Sequence, residues 1–280
     1  MRTHSADRKR EPAAPRAKRY LGQNFLVDPH VRDRILAACE IQSDDNVVEI
    51  GPGQGALTQQ LFKASPHFRA IEKDRELVEL LHRQFPQAKD RFIHDDILRF
   101  NFATLADNLV IIGNLPFNIS TPIIERLIAW RQKIKTAYLT VQWEFGQRLT
   151  GQPPTKDYGA LSCFVQYFAD VKILFKISPG CFRPVPKVTS CFLKITFRPP
   201  ALPAISDEQL FKLIKIAFLQ RRKMVVNVLA NHYERELLTK NFQRLGIPLT
   251  ARAENISLRQ FVELANQVTD AGSKNGRKEC

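Results

Sequence analysis

The chain has 280 residues, of which 44% are hydrophobic and 25% are charged, which excludes disorder for most of it and suits one or two globular domains. The net charge is +14 and it is uneven, since residues 1–19 carry +5, residues 20–130 carry −4 and residues 131–200 carry +8. An acidic first half beside basic segments favours a polyanionic partner held on one side, although a generally basic surface fits the charge equally well.

The first half of the chain has the pattern of an α/β domain. A helix is predicted to begin with Asp28 as its cap and Pro29 at its first position. Beyond it, β-branched runs alternate with amphipathic runs, which predicts a parallel sheet covered by helices. The predicted strands span residues 46–51, 68–73, 91–96, 108–114 and 136–142, and the predicted helices between them span residues 56–64, 74–85 and 121–130.

The second half adds an edge to the sheet and then becomes helical. A helix is predicted over residues 158–170, followed by two strands, 171–178 and 188–197, that flank a Pro-rich turn and could extend the sheet antiparallel. Residues 199–206 are predicted to be a linker, and the helices after it to span residues 208–223, 234–245 and 257–268. The predicted organisation is a flexible basic arm (1–19), an α/β domain (20–200), a small all-helical domain (201–270) and a flexible tail (271–280).

The cysteines and the apolar runs exclude several classes of protein. The five cysteines form no C-x-x-C pair, so neither a zinc site nor a disulfide framework is predicted and no metal is expected. No apolar run is long enough for a membrane span and no secretory signal is present, so a cytoplasmic protein is expected. The Arg-rich composition of the first 19 residues is also typical of a mitochondrial presequence. Such a presequence needs an amphipathic helix, which Asp7, Glu11, Pro12 and Pro15 oppose.

A glycine-rich turn follows the first predicted strand. Residues 49–55 read EIGPGQG, and glycines here allow a close approach of the backbone to a ligand at the start of a helix. The spacing does not match the dinucleotide pattern G-x-G-x-x-G. Such turns serve nicotinamide, flavin and S-adenosylmethionine (SAM) sites, and a purely structural turn is the alternative.

Carboxylates end the next two predicted strands. Glu72 could accept both hydroxyls of a ribose, as an adenosine-containing ligand requires. Asp95 and Asp96 end the third strand at the same edge of the sheet, and one of them could accept a hydrogen bond from an adenine amino group. The alternative for each is an ordinary solvated acid or a helix cap.

The most specific motif is N-L-P-F, which ends the fourth predicted strand at residues 114–117. An exocyclic amine on a nucleobase is a poor nucleophile because its lone pair is delocalised into the ring. The Asn114 side-chain oxygen and a neighbouring carbonyl, held by the restricted turn at Pro116, could accept both amino hydrogens, while Phe117 stacks on the base. A strand-ending turn with a buried Phe is the alternative.

Further candidates lie in a motif before the first helix and in basic segments. Residues 22–26 read GQNFL, where Asn24 could bind the amino-acid end of a ligand and Phe25 or Leu26 could cover it, or where the residues only fix the entry to the helix. Basic side chains in the turn 182–187, in residues 220–223 and in the arm offer contacts to phosphates, or simply a solvated surface.

Together these motifs resemble the KsgA/RsmA family of rRNA adenine dimethyltransferases over residues 20–268. Nine motifs occur in the order of the family: GQNFL, EIGPGQG, Glu72, HDD, NLPFNIST, DYGALSCFVQYF, FRPVPKV, AFLQRRK and RAENISLRQF. The resemblance implies a Rossmann-like class I SAM-dependent methyltransferase domain with a small C-terminal helical domain. It also implies dimethylation of N6 of two adjacent adenosines in the 3′-terminal hairpin loop of 16S rRNA, within the 30S subunit or its precursor, by a monomer.

The resemblance also assigns roles to residues by position. The implied SAM-binding residues are Asn24, Leu26, Gly51, Glu72, Asp96 and Asn114, and the residues implied to hold the target amine are Asn114, Leu115, Pro116 and Phe117. Basic side chains in and near the helical domain are expected to bind the RNA: Arg183, Lys187, Arg221, Arg222 and Lys223.

The sequence departs from the family pattern in small ways. Phe117 stands where the family usually has Tyr, which keeps the stacking surface and loses a hydroxyl, and Gln54 stands where an apolar residue is common. The HDD triplet leaves open which of Asp95 and Asp96 contacts adenine.

Three other functions share part of this pattern. The first is an Erm-type methyltransferase acting on 23S rRNA, although DYGALSCFVQYF and RAENISLRQF favour the KsgA branch. The second is a small-subunit assembly factor whose methylation is secondary. The third is a nicotinamide oxidoreductase, for which the motifs supply no hydride-transfer acid or base.

Overall fold

A computed structural model of the protein describes residues 15–275, with side chains described as far as residue 268. Residues 1–14 of the predicted arm and residues 276–280 of the predicted tail lie outside the described residues. Within the described part, no helix has the length and apolar character needed to cross a membrane.

The strands form one large sheet and one small pair. The strands in the described part are β1 Phe25–Leu26, β2 Asn46–Ile50, β3 Arg69–Glu72, β4 Phe92–His94, β5 Leu109–Asn114, β6 Ile134–Gln142, β7 Ala169–Ile177, β8 Phe182–Arg183 and β9 Ser190–Phe197. The large sheet has the order β4-β3-β2-β5-β6-β9-β7. Neighbours from β4 to β6 are parallel, and β9 is antiparallel to both β6 and β7. The predicted parallel sheet with an antiparallel edge is therefore confirmed.

Helices cover the sheet and make up the C-terminal region. Their bounds are α1 Pro29–Ala38, α2 Thr58–Ala64, α3 Arg75–Gln84, α4 Ser120–Ala129, α5 Trp143–Thr150, α6 Ala160–Phe168, α7 Asp207–Phe218, α8 Val225–Leu229, α9 Arg235–Arg244 and α10 Leu258–Asn275. The predicted start of α1 is confirmed, since the Asp28 carboxylate accepts a hydrogen bond from the Val31 N–H at 3.0 Å.

Some predicted bounds were wrong. The helix predicted over residues 158–170 ends at Phe168, because the backbones of Ala169 and Asp170 pair with β9. The helix predicted over residues 208–223 ends at Phe218, and residues 219–222 form a turn. Sequence reasoning also missed α5, α8 and the strands β1 and β8. Of these, α8 and the two-residue strands are too short for a periodic pattern to show.

Alternate residues of the central strands enter different cores. Val47, Val110 and Ile112 pack with apolar residues of α1 and α2 on one face, whereas Val48 and Ile111 belong to the core on the other. The C-terminal helices join that second core, where Phe211 of α7 contacts Phe164 and Phe168 of α6. The predicted domain division at residue 200 falls between β9 and α7 and stays a prediction, while apolar packing continues across it.

Candidate functional site

A cavity lies at the carboxyl ends of β2, β3 and β5, where open parallel sheets bind ligands. The cavity brings together most of the predicted site residues: Asn24, Gly51, Glu72, Asp95, Asp96, Asn114, Leu115, Pro116 and Phe117. Leu26 is placed differently, because its side chain is buried in the apolar core and does not line this cavity. Its predicted contact with a cofactor stays a prediction.

The glycine turn gives the cavity a backbone wall. Gly51 has φ +64°, and a Cβ placed on it would meet no atom within 4 Å. Because Gly51 lines the cavity, a side chain there would occupy space that the turn leaves open. The Gly51 N–H donates to the Ile71 carbonyl at 2.9 Å, which ties the turn to β3. The turn can therefore carry a ligand close against its backbone.

Glu72 is held rigidly at the end of β3. One carboxylate oxygen accepts the Gly53 N–H at 3.1 Å and the other accepts the Asp74 N–H at 2.9 Å. Burial raises the pKa of Glu72, and these two hydrogen bonds oppose the rise. A carboxylate oxygen can accept more than one hydrogen bond, so both oxygens keep capacity for hydroxyl donors from a ligand.

Glu49, which sequence reasoning did not place in the site, is a second buried carboxyl beside the cavity. It is 2% exposed and accepts a hydrogen bond from the Thr58 hydroxyl at 2.8 Å. Burial, with a smaller contribution from the charge of Glu72, raises the pKa of Glu49 to about 8, while the Thr58 bond opposes the rise. A carboxylate inside a strand of apolar residues was the signal in the sequence.

Asp95 and Asp96 both line the cavity but differ in their surroundings. The Asp96 carboxylate forms an ion pair with Lys73 at 2.7 Å and accepts the Leu98 N–H at 3.0 Å. Burial by itself would raise the pKa of Asp96, but these two contacts outweigh burial and hold the pKa below its usual range. Asp95 is exposed and accepts the Asp96 N–H at 2.7 Å. Asp96 is therefore the more firmly positioned acceptor.

The N-L-P-F turn follows β5 and is held by backbone bonds. The Leu115 N–H donates to the Thr140 carbonyl at 3.0 Å, and the Pro116 carbonyl accepts the Ser120 hydroxyl at 3.2 Å. The Asn114 side-chain nitrogen donates to the Asn24 carbonyl at 2.7 Å. Among the described residues no donor meets the Asn114 Oδ1, so this oxygen is available to a ligand donor at the cavity wall.

The segment before β1, residues 18–24, crosses the cavity. At one end the Lys18 ammonium lies 2.7 Å from the Asp74 carboxylate and 3.0 Å from Glu76. At the other end Gly22 packs on the N-L-P-F turn and the residue after it, because a Cβ placed on Gly22 would lie 3.4 Å from the Pro116 Cβ and 2.5 Å from the Asn118 Oδ1. Sequence reasoning missed Lys18 and Tyr20 as residues of this segment, since no local pattern marks their partners.

The five predicted RNA-binding side chains fall into two groups. The Arg221 guanidinium donates to the Lys156 and Tyr158 carbonyls and pairs with Glu254, and Arg183 donates to the Gly180 and Phe182 carbonyls. Lys187, Arg222 and Lys223 are exposed, and their side chains have no hydrogen-bond or ion-pair partner within the part of the chain that the structure describes. Arg183 lies beside the cavity wall, because β8 pairs with β1.

Across residues 15–268, no group of three or more His, Cys, Asp or Glu side chains could hold a metal ion. The cavity therefore offers a glycine turn, fixed carboxylates and a free amide oxygen as its polar groups.

Comparison with known sequences gives consistent matches. A family model described as ribosomal RNA adenine dimethylase matches residues 14–270. The chain is similar to Ribosomal RNA small subunit methyltransferase A of Saccharophagus degradans, with 41% identity over 256 residues that cover 90% of this chain and 94% of that protein. It is similar to the protein of the same name from Gloeobacter violaceus, with 41% identity over 261 residues that cover 91% and 94%.

Two solved structures share the fold. A dimethyladenosine transferase from Plasmodium falciparum aligns with a TM-score of 0.76 at 24% identity, covering 89% of this chain and 98% of that one. The 23S rRNA methyltransferase ErmE aligns with a TM-score of 0.69 at 23% identity, covering 88% and 100%. Both align over the sheet and the helical region, which confirms the predicted Rossmann-like fold.

Proposed function

The chain belongs to the ribosomal RNA adenine dimethylase family, and from this membership we propose that it transfers methyl groups from SAM to N6 of two adjacent adenosines in the 3′-terminal hairpin loop of 16S rRNA. Relatives named for the small ribosomal subunit are 34% to 41% identical to this chain over most of its length. The observation that carries the proposal is the free Asn114 Oδ1 in the same cavity as Gly51 and Glu72.

The cavity fits SAM, which supplies an electrophilic methyl group when bound. Glu72 is the acceptor for the ribose hydroxyls, and its two backbone hydrogen bonds fix both oxygens before the ligand arrives. Gly51 leaves room for the ligand at the turn. Asp96 and Asn24 also line the cavity. Asp96 would accept a hydrogen bond from the adenine amino group, and Asn24 would bind the amino-acid end.

Asn114 activates the target amine by accepting its hydrogens. The bond from the Asn114 nitrogen to the Asn24 carbonyl turns Oδ1 away from Asn24, so that Oδ1 and the Leu115 carbonyl accept the two N6 hydrogens. The N6 lone pair would then be less delocalised into the ring and available for methylation, while Pro116 restricts the turn and Phe117 would stack on the base. The target base must leave the RNA stack to reach this position.

Three buried cysteines fit direct transfer without a covalent intermediate on the enzyme. Burial raises the pKa of Cys39, Cys163 and Cys191 to about 12, so these thiols stay protonated at neutral pH. None of the three lines the cavity.

The basic surface supports binding of the small subunit. Lys187, Arg222 and Lys223 are the free contacts for phosphates, and Arg183 adds its charge beside the cavity wall. Arg221 is bonded within the protein and positions the turn that carries Arg222 and Lys223. The same proposal takes this protein to be a cytoplasmic monomer that acts on the 30S subunit or its precursor.

The test is transfer of tritiated methyl groups from SAM to purified unmethylated small subunits, followed by mapping of the modified bases. We expect label at N6 of two adjacent adenosines near the 3′ end of 16S rRNA. Label on large-subunit rRNA instead would establish the Erm-type alternative. If Asn114→Ala kept full transfer, the assignment of Asn114 would be wrong, and if it abolished transfer but spared particle binding, an assembly role could coexist with catalysis.

A further inference from the structure

Tyr20 places an exposed aromatic ring at the mouth of the cavity. Its side chain is 76% exposed, and the residue lines the same cavity as Asn114 and Phe117. Phe117 in the N-L-P-F turn is less exposed, because it is half-buried. A ring that borders a cavity and yet remains mostly exposed faces outward from the rim, where a ligand extending out of the cavity would meet it.

The backbone that carries this ring is held by contacts on both sides of Tyr20. Two residues before it, Lys18 is bound to Asp74 beside the ribose-binding end, and two residues after it, Gly22 packs on Pro116 and Asn118. The Leu21 and Gly22 N–H groups close the intervening turn on the Lys18 and Arg19 carbonyls at 3.1 Å and 3.0 Å. Tyr20 is therefore held in the middle of a bridge between the two ends of the cavity.

The neighbouring charges indicate what the ring meets. Arg16 and Arg19 are exposed, and neither guanidinium group has an ion-pair or hydrogen-bond partner within residues 15–268. An exposed aromatic ring that follows two exposed arginines in the same segment is a combination that suits unpaired nucleic acid, since the ring stacks on a base and the cations hold phosphates. A single exposed aromatic residue needs no explanation, but one at the mouth of the cavity and preceded by two unpaired guanidinium groups does.

We propose that the Tyr20 ring stacks on the unpaired base next to the adenosine that occupies the cavity, while Arg16 and Arg19 bind the phosphates of the same strand. This inference rests on the proposed function, because only an RNA with adjacent unpaired bases places a second base at the rim. It assigns Tyr20 a role in substrate positioning and none in the binding of SAM.

The test compares Tyr20→Ala and Tyr20→Phe in the full chain. The control is Ile205→Ala, which removes a 61% exposed apolar side chain from the segment before α7. Three quantities are measured for each protein: the dissociation constant for a fluorescein-labelled single-stranded oligoadenylate, the KM for unmethylated small subunits in methyl transfer, and the dissociation constant for SAM. The dissociation constant for SAM is measured by calorimetry. Tyr20 forms no hydrogen bond within the described residues, so its variants should fold.

We expect Tyr20→Ala to raise the oligoadenylate dissociation constant and the KM about tenfold, with the affinity for SAM unchanged. Tyr20→Phe, which keeps the ring, and Ile205→Ala should match the wild type. Unchanged RNA affinity in Tyr20→Ala would overturn the inference, as would an equal loss in Tyr20→Phe or a loss confined to SAM. If wild-type protein transferred no methyl groups to small subunits, the proposed function would fail, and the oligoadenylate measurement would still decide the role of Tyr20.

Discussion

The Asn114 side chain donates a hydrogen bond of 2.7 Å to the carbonyl oxygen of Asn24, which lies 90 residues earlier in the chain. The bond joins the end of β5 to the segment that crosses the cavity. It also decides the orientation of the amide, since the nitrogen faces Asn24 and the oxygen is left for the substrate amine. Two motifs that are remote in the sequence thus act as one part of the site.

Replacement of Asn114 tests this arrangement. Asn114→Asp keeps an oxygen but loses the donor, and its charge would be repelled by the Asn24 carbonyl. We expect a loss in kcat of at least about 100-fold for Asn114→Asp and Asn114→Ala, comparable with the loss of one positioned polar group in other active sites. Steady-state methyl transfer measures it, with Asn231→Ala, an exposed Asn in the helical region, as the control. Near-normal turnover by Asn114→Asp would show that the amide orientation is unimportant.

Glu72→Gln tests the fixed acceptor for the ribose. Gln offers one acceptor oxygen where Glu72 offers two, so either the Gly53 or the Asp74 N–H loses its buried partner. We expect the dissociation constant for SAM to rise about tenfold or more, as measured by calorimetry. Glu79→Gln, which changes an exposed carboxylate paired with Arg75 on the same helix, should leave it unchanged. Equal SAM affinity in the two variants would remove Glu72 from the binding site.

Glu49 should make stability fall with increasing pH. Its pKa is raised from 4.5 to about 8 in the folded protein, so between these values the folded state holds one more proton than the unfolded state. The free energy of unfolding therefore decreases through this window by about 1.4 kcal/mol per pH unit from this group alone.

The measurement for Glu49 is denaturant unfolding at pH 5.5, 6.5, 7.5 and 8.5, in wild type and in Glu49→Gln. Because Gln does not titrate, the stability of Glu49→Gln relative to wild type should increase as the pH rises. Glu125→Gln, on the exposed side of α4, should follow the wild type. Parallel curves for wild type and Glu49→Gln would mean that Glu49 is ionised in the folded protein across this range.

Lys18→Ala should weaken the binding of SAM although Lys18 does not line the cavity. Lys18 neutralises Asp74, whose side chain is 1% exposed and whose N–H holds Glu72. We expect the dissociation constant for SAM to rise by roughly threefold to tenfold. Lys135→Ala is the matched control, because Lys135 pairs at 3.1 Å with Asp45, whose side chain is 8% exposed, and neither residue lines the cavity. An equal effect of both variants would point to general loss of stability.

Adjacent arginines should behave in opposite ways. Arg221→Ala removes bonds to the Lys156 and Tyr158 carbonyls, and we expect the thermal midpoint to fall by about 2 °C or more. Arg222→Ala should leave the midpoint unchanged, weaken binding to small subunits and reduce the salt dependence of binding by about one charge. Calorimetry and binding titrations at several salt concentrations measure both. A shallower salt dependence in Arg221→Ala at an unchanged midpoint would reverse the two roles.

The local pattern of the sequence was sufficient to predict the parallel sheet and the positions of the main motifs. Alternating β-branched and amphipathic runs predict strands and helices, because the period of apolar residues reflects which side of an element is buried. The cap of α1 at Asp28 and the glycine turn at Gly51 depend on neighbouring residues only. Since parallel strands direct their carboxyl ends to one edge, the meeting of Glu72 and Asn114 could also be expected from the sequence.

The tertiary structure alone decided which of these residues are bound and which are free. Lys18 meets Asp74, Asn114 meets Asn24, and Arg221 differs from Arg222, because each of these outcomes depends on where a distant segment passes. The proximity of Glu49 to Glu72 likewise arises from the pairing of β2 with β3, and burial then raises the pKa of both carboxyls. A periodic pattern records whether a side chain is buried, whereas its partner is set by the packing of segments that no local pattern encodes.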